Sequence, residues 1–509
     1  TELIRSLRTV IDEKTAHEAV LQEQVDYLTK KLFGTSSEKT HSDIPGQLNL
    51  FNEAEAEQDP SLPEEDCIEE PSPRKKKATH AELFKGLTVH KQVIPLAEED
   101  KICPICGTPM ERIGEEYVRR ELVFTPARCE IYEYYTESYG CPNCKDGKGD
   151  TEKAVIIKSK AAPALIGKGP ASPSTVAWTI YQKYANSLPL YRQEKDWKEY
   201  GAAISRTTLA NWIIYSAEHY FRPLYDYFHR QLLLREFLMA DETRVQVLKE
   251  PGRSAESQSF MWLFRTGEDG QPTILLYGYT PTRSGSNAAD FLNGFRGYLE
   301  TDGYQGYNKV SGIKRCSCWA HIRRYFVDAI PKGKQLDYNQ PAVQGVHYCD
   351  RLARLESTIT SKCGTDYEKR KQMRLEKETP VLEAFWAWVD SQHPTRNTRL
   401  DKALTYVKNR RETSMTYLED GRCSFTNNLS ENAIRPFTVG RKNWLFSDSV
   451  EGAQASAITY TMVEMAKAHN LNIYGYLSYV LEQRPDETWS DEQLAELAPW
   501  SEKLQTLKI

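Results

Sequence analysis

The chain lacks any apolar run approaching the ~18 residues of a membrane-spanning helix, so no helical membrane span is expected. No secretory leader is expected. The chain's first residue is Thr, so its extreme start is expected to be missing or processed. Without a leader, the eleven cysteines do not read as a disulfide framework. Two Cys-x-x-Cys pairs among them point instead to metal in a reducing, cytoplasmic compartment. Positive charge is also short: the net charge of −5 is odd for a protein that binds DNA. Residues 53–70, however, carry nine acids and no Lys or Arg, and without them the balance is +4. Bulk charge therefore does not exclude DNA, and a local basic surface decides. What the chain does have is size and apolar content. Its 509 residues, 40% of them hydrophobic, are enough for several domains with real cores.

The chemistry centres on Ser424-Phe-Thr-Asn-Asn-Leu-Ser-Glu431-Asn-Ala-Ile-Arg435-Pro. Two turn-forming Asn residues and Ser430 lead into a short helical run. Glu431 and Arg435, four apart, share one helix face. A carboxylate at a helix start, beside a cation and amides, suits metal and phosphate. Two partner carboxylates lie upstream, in Phe237-Leu-Met-Ala-Asp241 and Tyr298-Leu-Glu-Thr-Asp302. Each is an Asp just past a short apolar run, as at the end of a strand. Asp, Asp, then Glu on a helix is an arrangement that holds two Mg2+ ions for in-line phosphoryl transfer.

The surrounding elements agree. Phe237–Ala240, Ser259–Phe264 and Thr273–Tyr279 read as strands, the last two joined through the Glu268-Asp-Gly270 turn. Ala288–Phe295 reads as a helix and Gly297–Glu300 as a fourth strand. Cys316–Trp319 reads as a fifth, followed by a helix through Arg324 and Phe326. This is the order of a ribonuclease-H-like α/β core. It places Asp241 and Asp302 on neighbouring strands, which favours them over the nearby Glu242 and Glu300.

Cys318-Trp-Ala-His321-Ile-Arg-Arg-Tyr-Phe, Asn428-Leu-Ser-Glu-Asn-Ala-Ile-Arg-Pro and Gly440-Arg-Lys-Asn-Trp resemble motifs of the bacterial DDE transposases of the insertion-sequence-66 family. So do Leu32-Phe-Gly-Thr-Ser-Ser-Glu-Lys and the paired Cys-x-x-Cys motifs, and the resemblance covers nearly the whole chain. It implies a transposase that binds the terminal inverted repeats of its element and a target DNA. It further implies metal-dependent strand cleavage and strand transfer, a zinc-binding domain, and a helical DNA-binding region. A zipper-like N-terminal segment, accessory proteins of the same element and a nucleoid-associated place in the bacterial cytoplasm also follow from it.

The expected architecture is multidomain α+β. Residues 1–39 form a coiled-coil helix for oligomerisation, as a homodimer or higher homo-oligomer. Its heptad places Ile4, Ile11, Glu18, Val25 and Leu32 at a, and Leu7, Lys14, Leu21 and Leu28 at d, seven of nine apolar. Residues 40–78 read as an acidic disordered linker that ends near the basic run Arg74–Lys77. Residues 79–165 form a zinc-binding domain. There Cys103, Cys106, Cys141 and Cys144 make two knuckles around one structural Zn2+, with Cys129 spare. Residues 166–235 are a helical DNA-binding region with helices at Ser174–Ala185, Tyr191–Tyr200 and Arg206–Tyr220. In the last of these Ser205 caps, Arg206, Thr207 and Asn211 face out, and Leu209 and Trp212 face in. An ordinary helical hairpin remains the alternative.

Residues 236–330 hold the first part of the catalytic core, and 331–423 a helical insertion. Its helices are expected at Tyr348–Ser361, Tyr367–Lys377, Val381–Val389 and Leu400–Asn409. Trp386 and Trp388 serve its core or stack on an unpaired base. Residues 424–485 hold the second part of the core, including a helix over 453–483. Residues 486–509 form a C-terminal tail that docks through Trp489 and Trp500.

In this reading Asp241, Asp302 and Glu431 hold two Mg2+ or Mn2+ ions about 3.5–4 Å apart. Arg435 neutralises phosphate charge, and Arg441 and Lys442 hold the DNA backbone. No covalent protein–DNA intermediate is needed. Cys318 and His321 form a Cys-x-x-His pair that is either half of a second metal site or a packing and hydrogen-bonding pair, with His321 near phosphate. Two other functions remain open: a non-catalytic, transposase-derived DNA-binding regulator, and a nuclease that hydrolyses without joining strands.

Overall fold

A computed structural model describes residues 129–135, 138–140, 156–158, 163–167, 169–331 and 338–507. The expected coiled coil, the acidic linker and the four knuckle cysteines lie outside the described residues. From Ile131 onward the chain belongs to one compact unit. It begins with an antiparallel pair, β1 (Ser138–Gly140) and β2 (Ile156–Lys158).

Four helices follow. Ser172 caps α1 (Pro173–Ile180) in a reciprocal box with Thr175, and Pro173 costs nothing where an amide has no helical partner. The helix runs on through a π turn, Tyr181–Ala185. α2 spans Leu190–Glu199. α3 (Arg206–Ser216) is capped by Ser205, which accepts the Thr208 N–H at 3.2 Å. It continues through a second π turn, Ala217–Phe221, into α4 (Arg222–Leu233). The sequence reading did not separate α4, although Pro223 in its first turn is a helix-start signal.

The central sheet has the order β5-β4-β3-β6-β7. Its strands are β3 (Phe237–Lys249), β4 (Gln258–Thr266), β5 (Leu275–Thr280), β6 (Gly297–Thr301) and β7 (Ile313–Ser317). β4 runs antiparallel to both of its neighbours, β3 and β5, whereas β6 and β7 run parallel to β3. α5 (Gly285–Phe291) makes the crossover before β6, and α6 (Trp319–Ala329) follows β7. One expectation is corrected. Asp241 does not lie past the end of its strand but inside β3, whose alternating Val245 and Val247 carry it on to Lys249.

The insertion comprises α7 (Pro341–Cys363), α8 (Tyr367–Lys377), α9 (Thr379–Ser391), α10 (Arg399–Lys408) and α11 (Arg411–Met415). Trp319, Phe326, Phe385 and Leu404 are among its buried core. Trp386 is 5% exposed within that core, and Trp388 donates to Gln344 Oε1 at 2.9 Å. Trp386 therefore serves packing rather than base stacking. Arg374, fully buried, pairs with Glu356 and also donates to the carbonyls of Tyr417, Asp420 and Cys423. One guanidinium thus fixes the segment that leads back towards Ser424.

The chain then forms α12 (Asn428–Trp444), β8 (Ser447–Ser449) and α13 (Val450–Ala468). β8 pairs parallel with the far end of β3, and α13 packs on β5. The single helix expected over 453–483 is two. Asn470, at φ 57°, takes the left-handed conformation that closes α13, and α14 (Ile473–Gln483) starts afresh from an Asn472 cap. The tail forms α15 (Asp491–Glu496) and α16 (Glu502–Leu507), with Trp500 tilted against Phe228 at 5.3 Å. No helix among the described residues is long and apolar enough to cross a membrane.

Candidate active site

Successive side chains of β3 alternate between the faces of the sheet, so Asp241 and Glu242 part company. Asp241 stands opposite Leu263, which stands opposite Tyr277. The Tyr277 N–H donates to Thr461 Oγ1 of α13 at 2.9 Å, and its hydroxyl donates to the Ala433 carbonyl of α12. Asp241 therefore lies on the face that α12 and α13 cover. Glu242 stands opposite Trp262, on the face of the Phe264–Phe291 stack. There the Arg283 guanidinium and the Tyr307 hydroxyl hold it, and its side chain is 1% exposed.

β6 adds the second acid. Met239 pairs with Glu300 in parallel register. Two residues further on, the same register sets Asp302 beside Asp241. Asp302 leaves the strand in a turn, where its Oδ1 accepts the Tyr304 N–H at 2.8 Å. Glu300 points to the same face but lies deeper. It is 4% exposed, its carboxyl oxygens have no hydrogen-bond partner, and burial beside Cys423 pushes its pKa well up. Its ionisable neighbours are Cys423, Arg374 and Glu356 rather than Asp302 and Glu431, so it stands apart from the acids around Asp241.

Glu431 arrives in the first turn of α12. The residues before it are pinned. Asn427 Nδ2 donates to the Ala240 carbonyl at 3.1 Å, and the Asn427 N–H donates to Cys318 Sγ at 3.1 Å. The Trp319 N–H donates to the Phe425 carbonyl at 3.2 Å, and Arg265 donates to the Leu429 carbonyl at 2.9 Å. The start of α12 is thereby tied to β3 next to Asp241 and to the start of α6. From α6, His321 Nε2 and an Arg324 nitrogen each approach the Glu431 carboxylate to 3.6 Å.

The electrostatics follow from this crowding. Burial pushes the Asp241 carboxyl well above the usual range. The charges of Glu242, Asp302 and Glu431 push it further, against one hydrogen bond from the Glu242 N–H at 2.8 Å. Asp302 and Glu431, two of the three carboxylates that raise Asp241, form with it an anionic pocket that a divalent cation would relieve. The donor set is all oxygen, which suits Mg2+ or Mn2+.

The remaining residues singled out from sequence fall in two places. Arg435 and Lys442 are exposed on α12, and the Arg441 guanidinium lies 3.4 Å from Thr243 Oγ1 on β3. Arg206 and Asn211 are exposed on α3, with Leu209 and Trp212 buried beneath them. Sequence reasoning missed Arg283, Tyr307, Arg324 and Asn427 as parts of the site. Arg324 had a signal, lying three residues after His321 on one helix face. Arg283 and Tyr307 had none, because they reach Glu242 from 41 and 65 positions away.

Comparison with known proteins adds the following. Residues 168–455 match the family model described as "Transposase IS66 family". Residues 100–145, which include all four knuckle cysteines, match "zinc-finger binding domain of transposase IS66". Residues 461–500 match "IS66 C-terminal element", and residues 20–90 match "Transposase C of IS166 homeodomain". Two relatives come from Sinorhizobium fredii. Uncharacterized protein y4qI is 26% identical, with 96% of this chain and 90% of the relative covered. Uncharacterized protein y4jD is 26% identical, with 80% and 79% covered.

Proposed function

The chain belongs to the transposase IS66 family, and we propose that it cuts and joins the DNA ends of its element with Asp241, Asp302 and Glu431 as the metal-binding carboxylates. The observation that carries this is the convergence of an acid inside β3, a second just past the end of the adjacent parallel β6 and a third in the first turn of α12. The strand order, with three antiparallel strands followed by two parallel ones, supports reading the core as ribonuclease-H-like. Two Mg2+ or Mn2+ ions bound there would supply charge neutralisation at the phosphate and a more acidic attacking hydroxyl or water. The protein's own part is placement. Asn427 holds Glu431 over β3, while Glu242 and Arg283 brace the strand from behind. Arg435 and Lys442 offer exposed cations along α12, and Arg441 a half-buried one beside β3.

The rest of the reading concerns assembly. Cys103, Cys106, Cys141 and Cys144, within the zinc-finger match, hold one structural zinc. Arg206 and Asn211 on α3 contact the element ends, and the heptad of residues 3–32 pairs chains into a homo-oligomer. The test is strand transfer on DNA carrying the element's own ends. Wild type should cut and join. Glu431→Gln, Asp241→Asn and Asp302→Asn should each lose both steps by several orders of magnitude and still bind the ends. Cutting without joining would identify a nuclease, and binding without cutting a regulator.

A further inference from the structure

The Cys-x-x-His pair of α6 gains a third member in the folded chain. Cys318 Sγ, a ring nitrogen of His321 and a carboxylate oxygen of Glu431 all lie within 4.8 Å of one another. We propose that these three residues bind a Zn2+-class ion, distinct from the oxygen-bound Mg2+ ions, and that this ion holds the protein inactive by taking Glu431.

The argument starts from local geometry. Cys318 immediately precedes α6 and His321 sits in its first turn, so a spacing of three puts both side chains on one side of the helix start. Glu431 comes from the first turn of α12. The two helix starts are joined at the sulfur itself, because the Asn427 N–H donates to Cys318 Sγ. Burial pushes the Cys318 thiol up, against this amide aimed at the sulfur, so an incoming ion must displace the thiol proton. On binding, the thiol proton passes to solvent and a metal–sulfur bond takes its place. Donors bound at about 2.0–2.3 Å around a tetrahedral ion stand roughly 3.3–3.8 Å apart. His321 Nε2 and Glu431 Oε1, at 3.6 Å, already meet that spacing. From within 4.8 Å the sulfur needs to close by no more than about 1.5 Å, within reach of side-chain rotation.

The donor set decides the ion. One sulfur, one imidazole nitrogen and one carboxylate oxygen suit Zn2+ and its softer relatives and do not suit Mg2+. Three protein ligands also leave a fourth position open. Glu431 belongs to both sets, so an ion held by Cys318 and His321 would draw its charge away from Asp241 and Asp302. This inhibitory consequence rests on the carboxylate reading above, whereas the binding site itself does not.

The test uses the full chain with its knuckle zinc in place and titrates Zn2+ by calorimetry. Wild type should take up one further equivalent. Cys318→Ser and His321→Gln should each weaken that binding at least tenfold, while thermal unfolding shows that they remain folded, and Asp241→Asn should keep it. Zinc at the filling concentration should lower wild-type Mg2+-dependent cleavage. The zinc concentration for half-inhibition should rise at least tenfold in Cys318→Ser, measured against that variant's own zinc-free rate. No further equivalent in wild type, or one of equal affinity in both Cys318→Ser and His321→Gln, overturns the site. Zinc that binds as described without slowing cleavage overturns the inhibitory role. Normal cleavage by Asp241→Asn and Asp302→Asn would overturn the carboxylate reading and leave the zinc site standing.

Discussion

Asn427→Ala should separate the placing of Glu431 from its charge. Asn427 is fully buried, and its Nδ2 makes one 3.1 Å hydrogen bond to the Ala240 carbonyl, one residue before Asp241. Removing a buried partner of this kind costs about 1–3 kcal/mol. Its Oδ1 has no partner, so truncation also removes one unsatisfied atom and brings the expected cost to about 1–2 kcal/mol. The backbone N–H to Cys318 is unaffected. At about 2.1 cal/mol/K per residue over the roughly 350 described residues, each kcal/mol moves Tm by about 1.4 °C. The variant should therefore melt about 1.5–3 °C lower, a loss that leaves it folded at assay temperature. Cleavage should suffer far more. A displacement near 1 Å at a catalytic group costs on the order of 100-fold. Glu431→Gln should show the reverse pattern, with an unchanged or higher Tm and a larger loss of cleavage. The measurements are thermal unfolding and single-turnover cleavage of an element end. Asn427→Ala that melts lower yet cleaves within threefold of wild type would refute the idea that this clamp places the third carboxylate.

The two acids beside the candidate ligands should behave differently from each other. Glu300→Gln changes a buried carboxyl set apart from Asp302 and Glu431, so cleavage should stay within a few-fold of wild type. Glu242→Gln removes the charge that holds Arg283 and should cost about 1–3 kcal/mol in a denaturant titration; an unchanged midpoint would discount the pairing. Glu378 supplies a pH signature. Its carboxyl is pushed up from 4.5 to about 8, first by burial and then by Glu356. The stability that its neutral form contributes is full below about pH 4.5 and lost as pH rises through about 8. Glu378→Gln should therefore gain about 1–3 kcal/mol on wild type between pH 5 and pH 8.5. An equal gain at both pH values would contradict that origin. The double change of Cys141 and Cys144 to Ser should remove about one zinc per chain by metal analysis, and retained zinc would reassign the ligands.

The elements of the core were legible in the sequence because their causes are local. Short apolar runs gave β3, β4, β5 and β6 to within a few residues at most ends, though β3 runs nine residues past its expected end, and Ser205 marked the start of α3. Residue order, together with the motifs that resemble the family, also singled out Asp241, Asp302 and Glu431 as candidates. What it placed poorly were the breaks. Asn470 in the left-handed conformation, the π turn after α3 and the separate α4 depend on how neighbouring helices pack.

The candidate site needed tertiary structure. Alternation along β3 puts Asp241 and Glu242 on opposite faces, but only the folded sheet shows that α12 covers the first and Arg283 the second. The Asn427 clamp joins residues 187 positions apart, and the Tyr277–Ala433 bond residues 156 apart. Contacts so distant leave no periodicity in the chain. For the same reason the sequence offered Cys318 and His321 as a pair, and folding brought Glu431 to them, since a helix start fixes its own two ligands but not which helix arrives opposite.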